Sequence, residues 1–147
     1  MDKKLCRVRV LGRLEQDGEK EEIETVSDGF ASFEEGTSII RYKEISEEAE
    51  EETKVAVIFS ESRAAGGAQC RIVKTGAVES DMLFIPGYQT MCIYRMPFGN
   101  LEIEIETYAV ELEITAKEAK GHLKYALSSN GSVVSEAEVF IDAVFRD

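Results

Sequence analysis

The stretch that decides the fold runs from Met82 to Thr107 and reads MLFIPGYQTMCIYRMPFGNLEIEIET. In residues 101–106, leucine or isoleucine alternates with glutamate, which is the period of a strand with one buried and one solvated face. Turn sequences at Pro86-Gly87 and at residues 97–100 separate three such strands. The stretch therefore predicts two consecutive hairpins, the repeating unit of an antiparallel meander.

The pattern of apolar and polar residues continues in both directions from this stretch. Further strands are predicted at residues 5–14, 20–33, 38–45, 53–60, 68–75, 108–114, 123–127 and 137–145, although the apolar residues of 20–33 do not keep one parity. Asp17-Gly18 and Asn130-Gly131 are dipeptides preferred in tight hairpin turns. The sequence predicts about nine or ten strands, with no sustained helical period and no crossover long enough for a parallel pair.

We therefore expect a single all-β domain over residues 1–147. Its first-choice architecture is an antiparallel up-and-down β-barrel of about 8–10 strands, and the alternative is a β-sandwich.

Two positions are predicted to bend their strands. The apolar residues have odd numbers up to Ile105 and even numbers from Tyr108 to Ile114, and such a phase slip inside one strand requires a β-bulge. Gly29 interrupts the apolar run of residues 20–33, which indicates a second bulge or bend. Long bent strands favour closure of the sheet into a barrel.

The charge of the chain disfavours two classes of partner. The chain carries 29 acidic and 17 basic residues, for a net charge of −12. Nucleic-acid backbones and anionic membrane surfaces carry the same sign, so neither is expected to bind. Five glutamates lie in the six positions from Glu47 to Glu52, without the spaced ligands and turn glycine of a calcium loop. We interpret this run as a solvated loop and the overall charge as a contribution to solubility.

The cysteines Cys6, Cys70 and Cys92 indicate a reducing compartment. Their number is odd and no pair has CxxC spacing, so we expect small core residues rather than disulfides or metal ligands. The first twelve residues lack the apolar segment of a signal peptide, and no run approaches the length of a membrane-spanning helix. We therefore expect a soluble, cytoplasmic protein, and the sequence indicates no particular oligomeric state.

The sequence predicts neither an enzyme nor a cofactor or metal site. His122 is the sole histidine, which leaves no zinc tetrad and no Cys-His nucleophile pair. Lys74-Thr75-Gly76 matches a penicillin-recognition triplet, but no serine has a lysine three residues later, so we interpret it as a strand end and a turn. Glu102, Glu104 and Glu106 lie on the solvated face of their strand, where carboxylates do little acid–base work.

The orientation of Arg95 matters most among the charged residues. If the turn centred on Phe98-Gly99 has two or four loop residues, Met96 lies opposite Leu101 and Arg95 points outward. Arg95 then lies opposite Glu102, in an ordinary cross-strand charge pair. A three-residue loop would reverse every side chain and place the guanidinium inside the barrel as a ligand anchor. The frequencies of hairpin loop lengths favour the outward orientation.

Two motifs resemble those of a known bacterial family. Residues 74–78 read Lys-Thr-Gly-Ala-Val, and residues 94–99 read Tyr-Arg-Met-Pro-Phe-Gly, followed by the Leu101-Glu102-Ile103 strand. Together they resemble the YwiB-like family, domain of unknown function 1934, over most of the chain from the Asp17-Gly18 turn onward. The resemblance implies a calycin-type, lipocalin-like barrel and no assigned activity. The chain lacks the Gly-x-Trp signature of lipocalins, and residues 145–147 do not match the Arg-x-Tyr pair of fatty-acid-binding proteins.

Two functions fit such a protein. In the first, the barrel holds a small, partly apolar molecule inside, between hydroxyl-bearing wall residues and a cationic anchor. The candidate residues are Tyr42, Tyr94 and Tyr125, with Arg71 or Arg95 as the anchor. In the second, the protein is an interaction module with a side-chain-filled barrel, and a partner, expected to be basic, binds an outer face or a sheet edge. A buried cavity with convergent polar groups favours the first function, and a filled interior with an exposed apolar patch favours the second.

Overall fold

The computed structural model describes residues 3–34, 36–45, 51–62 and 67–146, and these residues form ten β-strands. The strands are β1 (Lys3–Gln16), β2 (Glu19–Glu34), β3 (Thr37–Ile45), β4 (Glu52–Ser62), β5 (Gly67–Gly76), β6 (Ser80–Phe84), β7 (Gln89–Met96), β8 (Gly99–Ile114), β9 (Glu118–Ser129) and β10 (Ser132–Arg146). None of the described residues forms a helix with the length and hydropathy that crossing a membrane requires. The predicted all-β fold is confirmed.

The strands form one antiparallel sheet in the order β6-β5-β4-β3-β2-β1-β10-β9-β8-β7. Its two end strands meet where Glu79, just before β6, exchanges backbone hydrogen bonds of 2.8 and 2.9 Å with Arg95 of β7. Farther along the same seam, the Thr90 hydroxyl donates to the Leu83 carbonyl over 2.6 Å. The sheet therefore nearly closes into a barrel, as predicted, and the sandwich alternative is wrong.

The predicted bulge in β8 lies at Tyr108. The register with β9 shifts between Thr107 and Ala109, so Tyr108 is the extra residue. Its side chain is 54% exposed, whereas Thr107 and Val110 are buried. The bulge is confirmed, but the prediction that Tyr108 joins the inward row is wrong, because the extra residue of a bulge does not follow the alternation of its strand.

Gly29 marks a bend without a bulge. The register between β1 and β2 is continuous, but β2 pairs with β3 only from Gly29 to Glu34. A Cβ atom at position 29 would overlap the carbonyl oxygen of Arg41. Only glycine therefore allows the two backbones to approach this closely before residues 19–28 of β2 continue without β3.

Side chains fill the barrel from one wall to the other. Phe59 of β4 packs on Gly121 of β9, five places away in the order of ten strands and therefore on the opposite wall. The rings of Phe84 and Tyr125 meet with centroids 4.7 Å apart. The largest fully buried residues are Phe59, Phe84, Ile40, Ile105, Leu123 and Ile141. The interior is thus a packed hydrophobic core.

Two connections between strands lie largely outside the described residues, and the first of them holds most of the glutamate run that the sequence predicts to be a loop. They are residues 46–50 of the glutamate run and residues 63–66 of the connection between β4 and β5. Glu51 and Glu52, the described end of the glutamate run, are exposed, and the Glu52 carboxylate lies 3.0 Å from the Lys43 ammonium group.

Candidate functional site

The structure separates the five predicted ligand-binding residues into two groups. Tyr42, Tyr94 and Tyr125 occupy inward positions of β3, β7 and β9, whereas Arg71 and Arg95 are exposed on the outer face of β5 and β7. Alternation along each strand forces this division, because the neighbours of each arginine along the chain face the core. The prediction that Arg71 or Arg95 anchors a ligand inside the barrel is therefore wrong.

The three tyrosines lie in the same part of the interior as Cys70. Burial raises the pKa of Tyr42 well above its usual range, and the nearby Glu44 and Cys70 add to the effect. Burial raises the pKa of Tyr125 to about 12, with contributions from Cys70 and Tyr94. The Tyr42 and Tyr125 hydroxyls thus stay protonated at neutral pH, which suits them to hydrogen bonding rather than to proton abstraction.

An ion pair near one end of the interior was missed by the sequence analysis. Lys74 lies opposite Val55 and Ser80, which face inward, and its Nζ is 3.5 Å from the Glu44 Oε2. The Ser80 hydroxyl is buried and has no hydrogen-bonding partner among the described residues. Residues 74–76 do end a strand, as predicted, but counting by twos from Cys70 would have placed Lys74 inside the barrel.

Arg71 has a structural partner on the outer surface. Its Nε donates to Asp81 Oδ1 over 2.8 Å, and its Nη2 donates to the other carboxylate oxygen, so the pair is bidentate. These hydrogen bonds hold the pKa of Asp81 below its usual value, and they raise the pKa of Arg71. Both side chains are about half exposed. The guanidinium thus links β5 to β6, the strand that borders the seam of the barrel.

Replacing Arg71 with alanine should lower the stability slightly, and only above the acidic range in which Asp81 becomes protonated. An exposed pair of this kind contributes about 0.2–1 kcal/mol to the free energy of unfolding. Because the pKa of Asp81 is lower in the folded protein than its ordinary 3.8, this contribution is complete above that pH and is lost as the pH falls through the folded-state value. Urea midpoints of wild type and Arg71→Ala should differ at pH 7 and converge below pH 3.8. A constant difference at all pH values would contradict the assignment.

Arg95 points outward, as predicted, but its predicted partner is wrong. The loop between β7 and β8 consists of Pro97 and Phe98, and Met96 lies opposite Gly99. Arg95 therefore lies opposite Asn100, and Glu102 lies opposite Ile93. The turn is centred one residue earlier than expected because Gly99, at a φ of 150°, already begins β8. This moves the register by two residues, which preserves every face.

Comparison with known proteins agrees with this barrel. The model of a family described as "Domain of unknown function (DUF1934)" matches residues 8–141. The chain belongs to the DUF1934 family. The uncharacterized beta-barrel protein YwiB of Bacillus subtilis (strain 168) is 28% identical over 113 residues, which cover 77% of this chain and 72% of the relative. The crystal structure of the ywiB protein from Bacillus subtilis matches with a TM-score of 0.80 and 21% identity, over 99% of this chain and 94% of that one.

These matches confirm the resemblance inferred from residues 74–78 and 94–99, and with it the lipocalin-like barrel. Neither the description of the DUF1934 family nor that of YwiB assigns a function. The function of this DUF1934 barrel must therefore be argued from its own side chains.

Proposed function

We propose that this DUF1934 protein is a non-catalytic binding protein whose barrel is a solid scaffold and whose partner binds the outer surface. The observation that carries this proposal is the contact of the Phe59 ring with Gly121 on the opposite wall. A molecule between these walls would have to displace a fully buried phenylalanine. Such a displacement costs several kcal/mol of core packing. Exposed apolar side chains, among them Leu5, Phe30 and Phe98, support a partner on the outside.

The state of the cysteines supports a non-catalytic role in the cytoplasm. Cys6, Cys70 and Cys92 are free and buried. Burial raises the pKa of each thiol, which opposes formation of the nucleophilic thiolate. Three unpaired buried thiols are also the usual pattern of a protein in a reducing compartment.

A small molecule inside the barrel is the second candidate, and the tyrosine cluster favours it. Tyr42 and Tyr125 both lie near Cys70, and Tyr94 lies near Tyr125. A few polar groups in an apolar setting are what orient ligands in small-molecule pockets. Against this candidate, the Tyr125 ring already packs on Phe84. Binding there would therefore require a rearrangement of the core.

Protein purified from its own host distinguishes the two candidate functions. A small-molecule carrier would hold a ligand inside the barrel, whereas a solid barrel would hold none. Native mass spectrometry and ¹³C-methyl NMR should be recorded before and after the protein is unfolded, desalted and refolded. Ile40, Ile105 and Ile141 report on the interior because they are 0–1% exposed. We expect their methyl shifts to be the same in both samples. A bound mass that is lost on refolding, together with altered shifts of these methyl groups, would refute the solid barrel.

A further inference from the structure

The outer face of β2, β3, β4 and β5 carries an apolar groove of about 620 Å³. The groove lies beside Gly29, where the pairing of β2 with β3 ends. The outward-facing residues of β3, β4 and β5 line its bottom. Phe30, which is 52% exposed, stands at one side. The volume is within the range of ~300–1,000 Å³ that small-molecule sites occupy.

An apolar row crosses the groove. Phe30 lies opposite Arg41, Arg41 opposite Ala56, and Ala56 opposite Val73. Adjacent strands are about 4.8 Å apart, so the row extends roughly 14 Å from β2 to β5. It offers a phenyl ring and two aliphatic side chains, interrupted by one guanidinium group.

A row of polar groups runs beside it. Lys43 lies opposite Lys54, and Lys54 lies opposite Thr75. Lys43 and Arg41 are two residues apart on β3, so their side chains share the outer face about 7 Å from each other. Two ammonium groups, one guanidinium and one hydroxyl therefore border the apolar row.

Among the residues that the structure describes, the cations of this groove are only partly neutralised. Like charges directly opposite each other on paired strands are destabilising, yet Lys43 faces Lys54. Glu52 compensates Lys43 over 3.0 Å. Neither Arg41 nor Lys54 has a carboxylate within 4 Å in the part of the chain that the structure describes. Asp28 is the one carboxylate among the lining residues, against the three cations Arg41, Lys43 and Lys54.

We propose that this groove binds a small amphipathic organic anion, a carboxylate or phosphate carried on an aromatic or short aliphatic body. The anionic group binds Lys54 and Lys43 with Arg41 beside them, and the apolar body packs on Phe30, Ala56 and Val73. The whole chain has a net charge of −12, but acidic side chains more than about 8 Å from the groove are screened at physiological ionic strength. The cations in the groove therefore favour a ligand with a negative charge. The inference deepens the proposed function and rests on it. It replaces the expected basic partner by an acidic one.

Titration with three probes of one shape tests this inference. They are 2-naphthoate, 2-naphthyl phosphate and the neutral 2-naphthylmethanol, followed by the methyl signals of Val73 in the groove and of Ile105 in the core. We expect saturable shifts of Val73 with one or both anions, binding at least about tenfold weaker for the alcohol, and no shift of Ile105. The stronger anion then identifies the head group.

Charge reversal with a matched control completes the test. Lys54→Glu should weaken anion binding by roughly tenfold or more. It should also fold well, because it converts the opposed lysines into an attractive pair. Arg95→Glu makes the same charge change on β7, outside the groove, and should alter binding less than about twofold.

The outcomes separate this inference from the proposed function. No saturable Val73 shift with either anion, or equal losses in Lys54→Glu and Arg95→Glu, would overturn the groove as an anion site and leave the solid barrel standing. Saturable shifts of Ile105 with the anions would overturn both.

Discussion

Replacing Ile105 with aspartate should prevent the barrel from folding. Ile105 is 0% exposed and faces the core from the middle of β8. A carboxylate there has no partner, and such substitutions cost more than about 4–5 kcal/mol. The total free energy of unfolding of a domain is typically about 5–15 kcal/mol, so a loss above about 4–5 kcal/mol equals the whole stability of a domain at the lower end of that range. Circular dichroism and urea denaturation at pH 7 measure the effect.

Glu106→Gln is the matched control for Ile105→Asp. Glu106 is the next residue along β8 and is exposed on the outer face, so the amide should change the stability by less than about 0.5 kcal/mol. Comparable destabilisation by the two substitutions would show that the inner and outer faces of β8 are wrongly assigned.

Truncating Phe59 to alanine should cost about 3–5 kcal/mol and open the barrel to apolar molecules. The ring is fully buried and lies against Gly121, so its removal leaves an apolar space between opposite walls. A dry apolar cavity of this kind binds neutral probes such as benzene. We expect benzene to raise the melting temperature of Phe59→Ala and to leave that of the wild type unchanged.

Gly121→Ala provides the partner substitution for this experiment. In the wild type, the added Cβ would lie 2.5 Å from the Phe59 ring, and the resulting overpacking should cost about 1–3 kcal/mol. In the Phe59→Ala background, the same methyl group should be tolerated or stabilising. The two substitutions should therefore be strongly coupled in a double-mutant cycle, and simple additivity would rule out the contact.

The benzene result also bears on function. If Phe59→Ala accepts benzene and the wild type does not, the ring is what closes the interior. This barrel would then share its architecture with barrels that hold a ligand, but side chains would occupy the space that the ligand takes in those proteins.

Local alternation was sufficient to predict most of the secondary structure and the faces of the strands. The period of two in residues 101–106 identified the inward face of β8, and the phase slip after Ile105 located the bulge at Tyr108. The same reasoning kept Arg95 outside even though the turn was misplaced, because a register error of two residues leaves every side chain on its face.

The candidate site was predicted only in part, because its residues come from separate hairpins. Tyr42 and Tyr125 do pack in the core, as their positions in the strands indicated, and Tyr94 lies near Tyr125 on the inward side of β7. The assignment of Arg71 as an anchor is wrong because side chains alternate along β5, where Cys70 and Ile72 face the core and Arg71 therefore faces outward. The same alternation places Lys74 inward, where Glu44 is its partner.

The sequence by itself determined the antiparallel meander, its inner and outer faces, its bends and its family, because each of these depends on the spacing of residues along one strand or one hairpin. Only the tertiary structure decided that the barrel is solid and that its acidic chain carries a basic groove. Phe59 meets Gly121 across the closed sheet, and Arg41, Lys43 and Lys54 come together beside Phe30 through the register of three strands and the bend at Gly29. Contacts of this kind depend on how strands close around a core, which no local period encodes.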